Sequence, residues 1–194
     1  WFKKAADQGN AEGQAGLGCA YMSGEGVAKS YPEAVKWFTK AADQGNAQGQ
    51  AGLGGAYLSG NGVEKSYPEA VKWFKKAADQ ENIKGQVGLG AVYMSPESEE
   101  FNPNLAVDYF VKAKRILESS DLPNNAKEGL LELINKTKQY PPIAMAWANA
   151  MGKEQQDSAT RQVTDPEPDK FGGPPTDVVV KFALGQGNNS SAEN

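Results

Sequence analysis

Acid–base and nucleophilic chemistry has little to work with in this chain of 194 residues. It contains no histidine and one cysteine, Cys19. No Ser-His-Asp or Cys-His arrangement can be assembled, no zinc site of Cys and His ligands, and no intrachain disulfide. Acid and base work would fall to paired carboxylates or lysines, and no spacing brings such a pair together. Cys19 has no basic residue placed to activate it and its counterpart in the following repeat is Gly55, so it reads as a small passive residue. No catalytic residue, metal site or cofactor is expected. The net charge of -4, without a basic tract, argues against nucleic acid or an anionic membrane as partner. No run approaches 18 apolar residues, so no membrane span is expected. What the side chains can offer is a surface for other proteins or peptides.

The elements that would position such a surface are repeated. Residues 37–72, WFTKAADQGNAQGQAGLGGAYLSGNGVEKSYPEAVK, match residues 1–36 except at Lys3/Thr39, Glu12/Gln48, Cys19/Gly55, Met22/Leu58, Glu25/Asn61 and Ala28/Glu64, and a drifting third copy begins at Trp73. A fixed period of this size signals a stacked array, in which each unit buries its apolar face only against its neighbours. Each unit reads as two helices. Gly9-Asn10 and Gly45-Asn46 close one helix and cap the next, a pairing weakened to Glu81-Asn82 at the third boundary. Helix A follows, with Gln14, Leu17, Gly18 and Tyr21 at i, i+3, i+4 and i+7. A glycine loop leads to Ser30-Tyr31-Pro32-Glu33, a capping box with a Pro in the first turn. Helix B then carries Ala34, Trp37, Phe38 and Ala41 on one side and lysines with Glu33 on a solvated outer side. The aromatic series Trp1, Trp37, Trp73 and Tyr109 shares the phase of Phe2, Phe38, Phe74 and Phe110 and is assigned to helix packing. The fold class is therefore all-α: helix pairs stacked into a right-handed superhelical solenoid, ending in a disordered C-terminal tail.

The pattern LGxxYxxGxGVxxxxxEAVKWFxKAAxQGN, present from Leu17 to Asn46 and again from Leu53 with Glu81 in place of a Gly, resembles the Sel1-like repeat, a relative of the tetratricopeptide repeat. The resemblance covers residues 1–95 well and 96–119 loosely. It implies an α/α solenoid that acts as an adaptor or scaffold for protein complexes. Relatives with a Cys pair in each repeat have been linked to β-lactam binding or hydrolysis, but Cys19 is matched here by Gly55 and Ala91. Gly13, Gly16, Gly49 and Gly52 depart from the family's usual Ala or larger residue. At about 1 kcal/mol for each mid-helix Gly, helix A should be the softer partner.

If helix A lines the inner face, as the resemblance implies, the candidate protein-binding stripe is Glu12, Gly16, Cys19 and Ser23, then Gln48, Gly52, Gly55 and Ser59, then Lys84, Gly88, Ala91 and Ser95. Charge walks along it from Glu12 through Gln48 to Lys84, either as tuning for a ligand or as drift at solvated positions. A scaffold of this kind is the leading reading. The alternative is a regulatory repeat segment of a larger enzyme or receptor complex, since Trp1 falls inside a repeat and further segments would lie upstream; the compartment is left open.

Three regions follow from composition. Residues 1–119 are repeats, the first truncated and the last degenerate, with Phe101 taking over the tucking role of Val63. Residues 120–152 form C-terminal capping helices: one capped by Asn125 with Leu130, Leu133, Ile134 and Thr137 on one side, then, after Pro141-Pro142, a short apolar helix with Ile143, Trp147 and Met151 in line. That last helix is read as a lid over the final repeat or as a docking helix, the lid being favoured. Residues 153–194 are too polar to bury a core. Within them DVVVKFAL, residues 177–184, is a candidate edge strand for a partner's sheet or merely an apolar island. Two Asn-X-Ser/Thr triplets, Asn135-Lys136-Thr137 and Asn188-Asn189-Ser190, carry little weight without a secretory signal.

Overall fold

The computed structural model describes residues 2–120, 124–139 and 141–150, and every regular element among them is an α-helix. In chain order these are α1 (Phe2–Asp7), α2 (Ala11–Ser23), α3 (Tyr31–Asp43), α4 (Ala47–Ser59), α5 (Tyr67–Ala78), α6 (Ile83–Met94), α7 (Pro103–Ser119), α8 (Asn124–Thr137) and α9 (Pro141–Ala150). The A helices are α2, α4 and α6; the B helices are α1, α3, α5 and α7. Each packs on its neighbours in sequence through α7, which gives an α/α solenoid. The expected tail, Met151, residues 177–184 and Asn188 lie outside the described residues.

Local chemistry sets the helix starts. Asn10, Asn46 and Asn82 accept from the amides of Gly13, Gly49 and Gly85 at 2.7, 2.8 and 3.0 Å, each cap being worth about 1 kcal/mol. Ser30, Ser66 and Asn102 do the same for the B helices, with a Pro in each first turn. The capping box forms only by half. The Ser30 and Ser66 amides donate to the carbonyls of Tyr21 and Tyr57, both at 2.9 Å. Glu33 and Glu69 turn instead to Lys36 and Lys72, at 3.5 and 3.1 Å.

The third A–B loop keeps the same tie without the glycines, because Asn102 donates from its backbone to the Tyr93 carbonyl at 2.8 Å. A main-chain bond is indifferent to the side chains that drifted. Phe101 does not take the role of Val63: it is 38% exposed. The loop buries Ser98 instead, whose hydroxyl accepts from the Glu100 amide at 3.1 Å.

The core is organised by Phe38, Phe74 and Phe110, all fully buried. Phe38 lies between two glycines, Gly18 of its own A helix and Gly52 of the next, and a Cβ at either would stand 2.6 Å from the ring. Phe74 is held in the same way by Gly54 and Gly88, and Phe110 meets Gly90. Gly49 sits against Ala41, where a Cβ would come to 2.5 Å from the Ala41 Cβ. Of the helix-A glycines that sequence reading counted as a weakness, Gly52 is thus a seat for Phe38, and Gly13 and Gly49 let Ala5 and Ala41 of the preceding B helices come close. Burying one Phe side chain returns roughly 2–3 kcal/mol, against about 1 kcal/mol for a mid-helix Gly.

The apolar phase of helix A is also broader than the sequence reading. Met22, Leu58 and Met94 are buried, whereas Tyr21 and Tyr57 are half-buried. The reason is that an internal A helix touches its own B helix, the preceding B helix and the adjoining A helices, so more than one face is covered. Trp37 and Trp73 are half-buried beside their fully buried Phe neighbours, so they belong only partly to the core.

A polar clasp repeats with the units. Buried Gln14 accepts from the Gln44 amide at 2.7 Å, and buried Gln50 from Gln80 at 2.8 Å. In the third unit the position of Gln44 and Gln80 is taken by Ile116, and the Gln86 side-chain oxygen is buried without a partner. Beyond the repeats, α9 packs against α7 through Ile143, Ala146 and Trp147, which are 0, 4 and 5% exposed. Helix α8 begins at Asn124, so Asn125 lies inside its first turn, and α8 touches α7 more lightly.

Two stability outcomes follow. Gly52→Ala should destabilise by about 1–3 kcal/mol through overpacking on Phe38, although a Gly→Ala change in an open helix stabilises; equilibrium urea unfolding reads the sign. Glu81 holds φ at 57° where Gly9 and Gly45 hold 82°. Glu81→Gly should therefore stabilise by about 1 kcal/mol, seen as a higher melting temperature.

Candidate interaction surface

Successive A helices pack on one another, α2 on α4 and α4 on α6, whereas successive B helices barely meet. Closer spacing on one side than the other curves the array with the A helices inside. The twelve stripe residues share that A-helix layer but do not share exposure. Glu12, Gln48 and Ser23 are exposed, and Gly16, Cys19, Ser59 and Lys84 are half-buried. Gly52, Gly55, Gly88, Ala91 and Ser95 are buried, Gly52 and Gly88 beneath the rings of Phe38 and Phe74. The reachable part of the stripe is therefore the row Glu12, Gln48 and Lys84, near the first turn of each A helix, with Cys19 beside Gln48, and Ser23 at the far end of α2. Cys19 and Gln48 meet across the unit boundary, the Gln48 amide donating to Sγ at 3.3 Å.

The stripe serines have structural partners. Ser23 and Ser59 donate back to the carbonyls of Cys19 and Gly55, at 3.1 and 2.9 Å, and accept from the amides of Glu25 and Asn61. Such bonds satisfy the last turn of a helix. Ser95 lies 3.0 Å from the Tyr67 hydroxyl, which also donates to Glu97 at 3.2 Å. Lys65 bonds the same Glu97 oxygen at 3.3 Å. This cluster fastens the drifted third loop to the second unit.

The outer side carries a feature that sequence reading treated only as solvated lysines. Lys29 and Lys65 lie over the rings of Tyr31 and Tyr67, at 4.9 and 4.8 Å. Lys40, Lys76 and Lys112 lie over Trp37, Trp73 and Tyr109, at 4.2, 4.3 and 5.0 Å. Each contact is worth roughly 0.5–1 kcal/mol at an exposed site. The signal was present as Lys two residues before Tyr and three residues after Trp or Tyr. Burial, with Tyr93 stacked 5.6 Å away, raises the pKa of the Tyr109 phenol.

Among the described residues, no group of three or more His, Cys, Asp or Glu is placed to hold a metal ion, and no helix is long and apolar enough to cross a membrane. The described surface depression is an open one along α8, bounded by Glu128, Leu131, Glu132, Asn135, Lys136 and Gln139. The Asn135-Lys136-Thr137 triplet lies on this helix with Thr137 buried.

Helix pairs stacked in this way define a helical-repeat fold. The chain belongs to the Sel1 repeat family, whose pattern matches residues 1–10, 11–46, 47–82 and 83–115. Sel1 repeats are typically protein-interaction modules, and the family is generally non-catalytic. The matched boundaries fall on the Asn caps, so the structural unit starts at helix A rather than at the Trp from which the period was counted. Comparison with curated proteins gives no match.

Among solved structures, the chain is similar to a protective antigen present in uropathogenic Escherichia coli strains and displaying an SLR fold. That match has 38% identity over 62% of this chain and 25% of the other, with a TM-score of 0.54. It is also similar to a Sel1 repeat protein from Oxalobacter formigenes, at 30% identity over 83% of this chain and 59% of the other, with a TM-score of 0.57. The chain thus spans about a quarter and about three fifths of these two relatives.

The loop cluster generates a pH prediction. The Tyr67 hydroxyl holds Lys65 above its ordinary 10.5, opposed by burial and helped by the Glu97 carboxylate. Lys65, followed by Tyr67, holds Glu97 below its ordinary 4.5. Stability from Glu97 is present above 4.5 and lost as pH falls through its lowered folded value; that from Lys65 is present below 10.5 and lost as pH rises through its raised one. Glu97→Gln should lower the melting temperature slightly at neutral pH and leave it unchanged at pH ~2. A pH series of thermal melts on both proteins checks this.

Proposed function

We propose that this chain is a non-catalytic scaffold or adaptor that holds a protein or peptide along the inner face of its A helices. The observation that carries the reading is the open row Glu12, Gln48 and Lys84, one residue per unit in the same helical position. The floor between them is already closed by Gly and Ala packing. Such a row presents a charge gradient, acidic to basic, and little apolar anchoring. It suits a partner segment with basic and acidic groups in the reverse order, bound with modest affinity. Helices α8 and α9, residues 120–152 in the domain division, serve as the C-terminal cap of the array.

A second reading stands beside it. The chain spans only part of the length of both similar structures. On that reading the repeats are the regulatory segment of a larger enzyme or receptor complex, with the same inner row as its contact.

Substituting Glu12→Lys, Gln48→Ala and Lys84→Glu together should weaken each partner recovered with the unaltered chain by tenfold or more, about 1.4 kcal/mol, without changing the melting temperature. The check is affinity capture followed by titration of the recovered partner. Retention of every partner at unchanged affinity would remove the inner row as the binding site.

A further inference from the structure

We infer that the third corner of the array, residues 80–86, is a built-in flex point: the first turn of α6 opens there independently of the rest of the solenoid and carries Lys84 with it. The second corner shows what a closed corner needs. There Gly45 makes the left-handed bend, at φ 82°. Gln80, just past the end of α5, reaches back and donates to the Gly45 carbonyl at 3.0 Å and to the buried Gln50 oxygen at 2.8 Å. One side chain thus straps both the bend and the first turn of α4 to the following B helix.

The third corner has lost these parts together. Glu81 makes the bend at φ 57°, where a Cβ is unfavourable. Ile116 occupies the place of Gln80, so among the described residues no side chain straps the Glu81 carbonyl. Of the three equivalent glutamines, Gln14 and Gln50 have their oxygens satisfied, whereas the Gln86 oxygen is buried without a partner. Gln86 keeps its own bond to α5, donating to the Ala78 carbonyl at 2.9 Å, but has no tie to α7. A buried acceptor without a partner gains water when the turn opens, and a left-handed Glu relaxes, so both features favour the open corner. The opposite end of the same helix pair is fastened. Ser95 and Glu97 bond Tyr67, Lys65 bonds Glu97, and the Asn102 amide holds the Tyr93 carbonyl. Opening is thereby confined to the corner, as a local unit of low stability. That a movable Lys84 lets the inner row fit its partner rests on the binding function proposed above; the flex point itself does not, and it is read without any partner.

The test is amide hydrogen exchange of the whole chain, resolved by NMR and corrected for intrinsic rates. Gly85 and Gln86 should exchange about tenfold or more faster than their counterparts Gly49 and Gln50, the loss of roughly one strap. At the loop end, Asn102 should exchange as slowly as its counterpart Ser66. Ile116→Gln should slow Gly85 and Gln86 while leaving Ser66 and Asn102 unchanged. Gln80→Ile should create the same weakness one unit earlier and speed Gly49 and Gln50 by about tenfold. Equal rates at the two corners of the unaltered chain would overturn the proposal, as would rates at Gly85 and Gln86 that ignore Ile116→Gln. Fast exchange of Asn102 together with Gln86 would overturn it too, because that pattern marks general fraying of the last unit. Should Ile116→Gln fail to fold, the unaltered chain and Gln80→Ile decide.

Discussion

The structure depends on a ring seated between glycines. Phe38 and Phe74 are each closed from two sides by backbone that lacks a Cβ, and helix axes can approach only because nothing else stands there. That one constraint fixes the spacing of A and B helices within a unit and between units at once. The alanines at Ala41 and Ala77 extend the same closeness toward the helix ends, against Gly49 and Gly85. An array built this way gains stability from each junction, and drift in one loop leaves the others untouched. The third loop shows this, since a main-chain bond from Asn102 to Tyr93 preserves the connection after its glycines have gone.

The same constraint decides where binding can occur. Gly52 and Gly88, used as seats, are buried, and Gly55, Ala91 and Ser95 with them, so the stripe is open chiefly at Glu12, Gln48 and Ser23 and in part at Lys84. On the outer side, Lys side chains lie across the half-buried Trp and Tyr rings. The packing that builds the array therefore leaves polar positions on the inside and Lys-covered aromatic rings on the outside. The chain belongs to the Sel1 repeat family, whose repeats are typically interaction modules.

Several features were legible in the residues. Asn before each A helix, Ser-Tyr-Pro-Glu at α3 and α5, and Asn-Pro at α7 marked starts that the structure keeps, since capping needs only residues within one turn. The Phe of each WF pair was readable as core from its phase with Ala34 and Ala41. The Trp beside it was read as packing too, yet it is half-buried, because one position of rotation separates the seat from the rim. Phe101 misled for a similar reason: an apolar residue in a loop has no periodic neighbour to fix its direction, and it points outward.

By itself the sequence determined the period, the two-helix unit, the caps and the scarcity of catalytic side chains, all of which depend on residue type and near neighbours. Only the tertiary structure decided what the glycines are for, which stripe positions remain open, and that Gln14–Gln44 and Gln50–Gln80 form clasps. These are contacts about thirty residues apart in the chain or between successive units. A glycine inside a helix reads as a local weakness until the ring that fills it is brought there by the fold.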